Sequence, residues 1–298
     1  MLHDVEAVVL VGGKGTRLRP LTLSAPKPML PTAGVPFLAH LLSRIREAGV
    51  RRVVLGTSYL AETFSDHFGD GSTMGLEIEY VVEDQPLGTG GAIAFAAREL
   101  SETFVVCNGD ILTDLNLTAL VAFHRSRRAT ATIALQPVDD PSRYGLVRTT
   151  GHGEVEAFIE KPEPGEVDVN TINAGTYVME PEVLDLVPPD VAVSVEREVF
   201  PELVGNGLYG RAERVSWIDI GTPQSYLEAN LAEMGPNGTV DPSAVIDPAA
   251  EVRDSVVGAG ATVGAGARVT RSVLLPGARV EPEVVVTEQV IGMDGPVW

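Results

Sequence analysis

From Val5 to Ile220, short apolar β-branched runs alternate with amphipathic stretches, the pattern of a mainly parallel sheet covered by helices and so of an α/β fold. Residues 5–11 read as a buried strand, and further strands are expected at 52–56, 76–82, 103–107, 130–136 and 172–179. Residues 37–48 place apolar side chains at helical spacing and stop at Gly49, a residue suited to the left-handed turn that ends a helix. Other helices are expected at 90–97, 117–127, 181–186, 197–204 and 223–233.

Near Gly235 the pattern changes. A Pro/Gly/Asn-rich break precedes a stretch in which Ile246, Val252, Val257, Val263, Val269, Leu275, Val280 and Val286 recur at six-residue steps interrupted by two slips. Small residues fill the intervals. A six-residue repeat suits a triangular parallel β-helix, each hexapeptide forming one side and pointing its aliphatic residue inward. The stretch is long enough for two to three coils, and its open end calls for a cap, another domain or another subunit. Two domains are expected, 1–235 and 236–298.

Lys+Arg 22 against Asp+Glu 41 gives a net charge of −19, which argues against nucleic acid or an anionic membrane surface as partner. No apolar run approaches the ~18 residues of a membrane helix, and the acidic N-terminus lacks the cations of a signal peptide, so a cytoplasmic location is expected. The single cysteine, Cys107, excludes an internal disulfide and a cysteine-cluster metal site. Against this acidity, Lys14, Arg17, Arg19 and Lys27 crowd four cations into a short stretch that begins with Gly12, Gly13 and Gly15 directly after the first strand. Glycines there let the backbone approach an anion, and the cations focus positive potential where a polyphosphate needs it. The spacing matches neither the P-loop nor G-x-G-x-x-G, and Pro20, Pro26, Pro28 and Pro31 prevent an immediate helix. Only three residues are lysines, Lys14, Lys27 and Lys161, in a chain otherwise committed to arginine. His3, His40, His67, His124 and His152 are scattered and carry no assigned role.

The run GGKGTRLRPLT…PKPMLP resembles the nucleotide-binding segment of the sugar-phosphate nucleotidyltransferases, or NDP-sugar pyrophosphorylases. Further segments match in order: EDQPLGTGGA from Glu83, NGD at Asn108–Asp110, FIEKP from Phe158, INAGTY from Ile172 and WIDIGTP from Trp217. The chain is most similar to the mannose-1-phosphate guanylyltransferase branch. The resemblance implies a Rossmann-like mixed, mainly parallel sheet followed by a short left-handed parallel β-helix of hexapeptide repeats. It also implies attack of a sugar 1-phosphate oxygen on the α-phosphorus of an NTP, giving an NDP-sugar and pyrophosphate. GTP and mannose 1-phosphate are the expected substrates. Glucose 1-phosphate with UTP or dTTP, GTP with a heptose or cyclitol 1-phosphate, and a non-catalytic NDP-sugar-binding subunit are the alternatives.

In the family's terms, Arg17, Lys27, Asp110 and Lys161 carry catalysis, and Asp110 and Asp219 hold Mg²⁺. Leu10, Gly12, Gly13, Gly15, Thr16, Gln85, Gly88 and Thr89 meet the nucleotide, and Gly145, Glu160 and Asn173 meet the sugar. An already ionised nucleophile needs no general base, so positioning and charge neutralisation carry the reaction. A homo-oligomer, formed through the hexapeptide repeats, is expected.

Overall fold

The computed structural model describes residues 1–298 apart from 14, 24, 59, 161–166 and 298, so that Lys14 and Lys161 lie outside the described residues. The chain divides into two compact units, residues 1–13 with 41–217 and residues 14–40 with 218–298.

In the first unit the strands are β1 (Glu6–Leu10), β2 (Arg52–Thr57), β3 (Glu77–Val82), β4 (Phe104–Asn108), β5 (Ala131–Pro137), β6 (Leu146–Thr149), β7 (Val155–Ile159), β8 (Thr171–Met179) and β9 (Leu208–Ala212). Among the described residues they make one nine-stranded sheet of order β7-β6-β8-β4-β1-β2-β3, with β5 pairing β8 and β9 pairing β5. The block β4-β1-β2-β3 is parallel, as is the β5–β9 pair. The long strand β8 runs antiparallel to β4, β5 and β6, which makes the sheet mixed. Ala7, Val8 and Val9 are fully buried, as a continuous apolar run requires when both sheet faces are covered. Val8 faces Val54 and Val106 across the ladder, and Ile93, Phe104, Ile133, Tyr177 and Phe200 join them in one core. Each such fully buried side chain contributes about 1.5–3 kcal/mol.

Apart from 197–204, the expected strands and helices are found within one or two residues, including α1 (Phe37–Glu47), α3 (Gly88–Ala97) and α4 (Leu117–Arg127), with 181–186 wound as a 3₁₀ helix. Not anticipated were the helix α2 (Ala61–Phe68), the strands β6, β7 and β9, and the short strands Pro31–Thr32, Val35–Pro36 and Ile111–Thr113. The helix expected at 197–204 is a π turn, Val195–Val199, followed by the short helix Phe200–Leu203. Pro201 supplies no amide to continue the α pattern back to Arg197, and the preceding turn opens into the wider winding.

His124, fully buried on α4, has Nδ1 2.9 Å from Thr132 Oγ1 and Nε2 2.9 Å from Glu180 Oε1, which also accepts the Thr103 hydroxyl. Burial lowers its pKa, with Glu180 opposing the shift. A base whose folded pKa is depressed adds stability that is complete above its unfolded pKa of about 6.5 and is lost as pH falls below it. Thermal unfolding is therefore expected at lower temperature at pH 5.5 than at pH 7.5, and His124→Gln should flatten this slope; a parallel pH dependence in the variant would refute the assignment.

The second unit contains the expected coils. Thr239–Val240, Val256–Val257, Val273–Leu274 and Val290–Gly292 form one parallel face. Val245–Ile246, Thr262–Val263 and Arg279–Val280 form the second, and Glu251–Arg253, Arg268–Thr270 and Val285–Thr287 the third. Equivalent positions lie 17 residues apart, as in the Ser272 amide that donates to Ser255 Oγ. The interior holds Val257, Val263, Val269, Leu274, Val280, Val286 and Ile291. Leu274 thus takes the inward place expected for Leu275. The reason is a corner: Asp254, Arg271 and Glu288 all adopt positive φ and shorten the third side, so the step from Val269 to Leu274 is five positions. An antiparallel hairpin, Val290–Gly292 with Gly295–Pro296, closes the last strand of the first face.

The outward residues of that face, Val256, Val273 and Val290, pack with Leu275 against Leu18, Leu30, Tyr226 and Leu227. The last two lie on α5 (Pro223–Glu233), which opens with a capping box between Thr222 and Ser225. Asn230, fully buried on α5, accepts the Ala33 amide at 2.9 Å and donates to Tyr226 O at 2.9 Å. The Tyr226 hydroxyl donates to Pro31 O, and His40 Nδ1 lies 2.8 Å from Glu233 Oε2. The segment 14–40 is thereby fastened to α5 by polar groups and to the coils by apolar ones. No described helix is long and apolar enough to cross a membrane.

Candidate active site

In the first unit, parallel strands β2, β1 and β4 end side by side. The Val11 amide donates to Gly56 O at 2.9 Å and the Gly109 amide to Leu10 O at 2.8 Å, tying the three ends together. A Cβ on Gly109 would lie 2.7 Å from Val11 Cγ1 and 2.8 Å from Leu10 O, so only glycine lets the chain turn there and bring Asp110 to the strand's carboxyl edge, where open α/β sheets place ligand groups. Gly12 and Gly13, exposed just beyond β1, leave the backbone open to an anion. Gln85 is exposed on the loop before α3, and Gly88 and Thr89 open that helix.

The three residues expected at the sugar come together. The Asn173 amide donates to Gly145 O at 2.9 Å, and a Cβ on Gly145 would lie 2.8 Å from Glu160 Oε2. Strand β8 shifts register against β5 between Asn173 and Tyr177, and this irregularity re-aims Asn173. Its Oδ1 accepts the Gly175 amide at 2.9 Å, while Nδ2 donates to the Tyr177 hydroxyl at 2.9 Å. Burial pushes the Tyr177 phenol well above its ordinary pKa, and the carboxylates of Glu196, Glu160 and Asp110 add to the rise while Asn173 opposes it. These three acids therefore bear on one buried phenol. Trp217 Nε1 donates to Ala174 O at 3.0 Å and meets the Tyr144 ring edge-on at 5.4 Å, backing the Gly145 turn. Burial raises the Cys107 thiol to about 12, which makes it inert as a nucleophile.

In the second unit Lys27 starts a tight turn, Lys27–Met29, between Pro26 and Pro28, and is only 8% exposed. Its Nζ lies 3.3 Å from Asp219 Oδ1. Gly15, at φ +54, accepts the Thr22 hydroxyl at 2.8 Å, and a Cβ there would meet Thr22 Cγ2 at 2.9 Å and Lys27 Cβ at 3.2 Å. A Cβ on Gly221 would lie 3.1–3.2 Å from both terminal nitrogens of Arg17 and from Asp219 Oδ2. Arg17, Lys27 and Asp219, far apart in sequence, thus share one small volume in which a guanidinium, an ammonium and a carboxylate converge. Thr16 and Arg17 are exposed at its rim. Phosphate oxygens are the ligands such a pair of cations suits.

The model of the family described as Nucleotidyl transferase matches residues 6–234. The chain belongs to that family. It is 55% identical over 232 residues, 76% of its length, to the mannose-1-phosphate guanylyltransferase of Mycobacterium tuberculosis. It is 41% identical over 230 residues to the mannose-1-phosphate guanylyltransferase catalytic subunit beta of Drosophila melanogaster. The chain spans 64% and 62% of the lengths of these two relatives. Among solved structures, HddC from Yersinia pseudotuberculosis aligns at 31% identity with a TM-score of 0.66, covering 76% of this chain and 98% of that one. The same protein complexed with GMP-PN gives 0.65. A putative glucose-1-phosphate thymidylyltransferase from Bacillus anthracis, at 23% identity and a TM-score of 0.70, shares the fold; 76% of this chain and 94% of that one are covered.

Tyr177, Trp217 and Glu196 adjoin the residues expected at the site without having been singled out in the sequence: Tyr177 accepts from Asn173, Trp217 donates to Ala174 O, and the Glu196 carboxylate bears on the Tyr177 phenol. Tyr177 and Trp217 lie inside quoted motifs, where an aromatic beside a polar residue was the available signal; Glu196 lies outside them all.

Proposed function

We propose that the protein transfers a guanylyl group from GTP to mannose 1-phosphate, releasing GDP-mannose and pyrophosphate. The observation that carries this reading is the 55% identity over 232 residues with an enzyme named for that reaction. A phosphate oxygen of the sugar 1-phosphate forms a bond to the α-phosphorus as the bond to the bridging oxygen of pyrophosphate breaks. The attacking oxygen is already ionised, so the barrier is the repulsion between two anions.

Arg17 bridges oxygens of the transferring phosphoryl group, and Lys27 holds the α-phosphate and the departing pyrophosphate. Lys161, outside the described residues, binds the sugar's phosphate. Leu10, Gly12, Gly13, Gly15 and Thr16 cradle the nucleotide, Gln85, Gly88 and Thr89 meet base and ribose, and Gly145, Glu160 and Asn173 meet sugar hydroxyls. No cluster of three or more His, Cys, Asp or Glu among the described residues could cage a metal, but Mg²⁺ characteristically takes one or two carboxylates and completes its shell with phosphate oxygens and water. Asp110 and Asp219 are the hard oxygen donors proposed for it. When bound, the ion would neutralise charge on the triphosphate. The same reading places the enzyme in the cytoplasm and makes it a homo-oligomer through its coils, for which light scattering is the test.

Pyrophosphate release with Mg²⁺, over a grid of GTP, UTP, dTTP, ATP and CTP against mannose, glucose and other sugar 1-phosphates, tests the reading. Release is expected with GTP and mannose 1-phosphate. Release in another cell of the grid would keep the chemistry and replace the substrates. Silence throughout, with NDP-sugar still bound, would make the protein a regulatory subunit.

A further inference from the structure

Glu196 belongs to none of the matched motifs, yet its carboxylate is committed to one of them. Its Oε2 accepts the Thr89 hydroxyl at 2.6 Å and the Ser194 hydroxyl at 2.8 Å. Thr89 Oγ1 in turn accepts the Val195 amide at 3.0 Å. The backbone repeats the clasp: the Val193 amide donates to Leu87 O at 2.8 Å, and the Gly90 and Gly91 amides donate to Val193 O at 2.8 and 3.3 Å. Gly88, at φ +70, has no room for a side chain, because a Cβ there would lie 2.5 Å from Val193 O. Residues 193–196 therefore grip the turn that opens α3 from one side.

Two features make the grip more than packing. A hydroxyl-to-carboxylate bond at 2.6 Å is of the short, charge-assisted kind. It also uses the only proton Thr89 Oγ1 has, so this hydroxyl can accept from a ligand but cannot donate to one. In addition, Glu196 sits in the π turn Val195–Val199, a rare winding that rotates its side chain away from the direction an α turn would give and that recurs at functional sites.

We propose that Glu196 is a positioning residue for the nucleotide: it fixes the Thr89 hydroxyl and, with the 193–196 clasp, the shape of the Leu87–Gly91 turn. The proposal rests on the assignment of Gly88 and Thr89 to the nucleotide. In the full-length enzyme, Glu196→Ala is expected to raise the KM for GTP about tenfold, the scale of a lost hydrogen bond to a charged group, and to leave the KM for mannose 1-phosphate within about twofold. Glu196→Gln, whose carbonyl can accept from both hydroxyls, should restore most of the GTP affinity. Glu196→Asp keeps the charge but withdraws the oxygen by about one C–C bond length, and should share the alanine defect.

An unchanged KM for GTP in Glu196→Ala overturns the proposal, as does a glutamine variant no better than alanine. A common loss in both KM values that tracks the fall in Tm also overturns it. Calorimetric titration of GTP into wild type and Glu196→Ala separates this from the functional reading: about tenfold weaker binding sustains the inference even if no sugar phosphate reacts, and equal binding removes it.

Discussion

Asp219→Asn is expected to slow pyrophosphate release on the order of 10²-fold or more at fixed Mg²⁺, a loss comparable to removing a pre-arranged charge from a phosphoryl-transfer site. Two effects coincide at this carboxylate. Its Oδ1 stands 3.3 Å from the Lys27 ammonium, and its Oδ2 borders the space above Gly221 where the Arg17 guanidinium lies. Asparagine keeps the shape and removes the charge. If Asp219 also ligates the ion, the variant should require more Mg²⁺ and recover part of its rate as Mg²⁺ is raised, and Asp110→Asn should behave alike. A rate deficit indifferent to Mg²⁺ in both variants would dismiss the metal assignment and leave Asp219 as the group that orients two cations.

Lys27→Met is expected to cost on the order of 10²- to 10³-fold in kcat/KM, measured by the same release assay. Methionine fills the space of the buried lysine stem but supplies no charge for the pyrophosphate that the proposed reaction would release. Lys27→Arg should not rescue. The residue is only 8% exposed and its stem starts beside Gly15, where a Cβ would already be 3.2 Å from Lys27 Cβ, so a rigid planar fork has little space to turn. Removal of Lys27 also takes away a cation that stands 3.3 Å from Asp219. An arginine variant with near-normal turnover would show that any cation suffices and that the site is looser than its packing indicates.

What the sequence disclosed depended on whether a residue's role was written in its own neighbourhood. The parallel block β4-β1-β2-β3 was legible because β1 and β4 are buried on both faces and read as unbroken apolar runs. The β6–β7 hairpin was not, because segments such as Val155–Ile159 mix one buried residue with half-buried and exposed ones and give neither period clearly. Arg17 and Lys27 stood out as cations among glycines and prolines in an acidic chain, and Asp219 by the resemblance that singles out the WIDIGTP segment. Glu196 had no such setting: it stands one residue before the stretch that reads as an ordinary helix, 197–204, and only the π turn and Thr89 reveal it. The inward place of Leu274 was undecidable from the run Val273, Leu274, Leu275, in which three consecutive aliphatics offer three registers, and an arginine at positive φ made the choice. Likewise nothing local to Leu18 or Leu30 says that they rest on Val256, Val273 and Val290.

That last contact limits how the C-terminal repeats could have grown or shrunk. With equivalent residues 17 apart, a whole coil inserted or deleted returns Val256, Val273 and Val290 to the face on which Leu18, Leu30 and α5 rest. An insertion of six, natural for a hexapeptide considered alone, would rotate the stack by one side and present the Thr262 and Arg279 face instead. Length variation in this part of the molecule is therefore quantised in coils, and the unit of currency is set by the segment that carries Arg17 and Lys27.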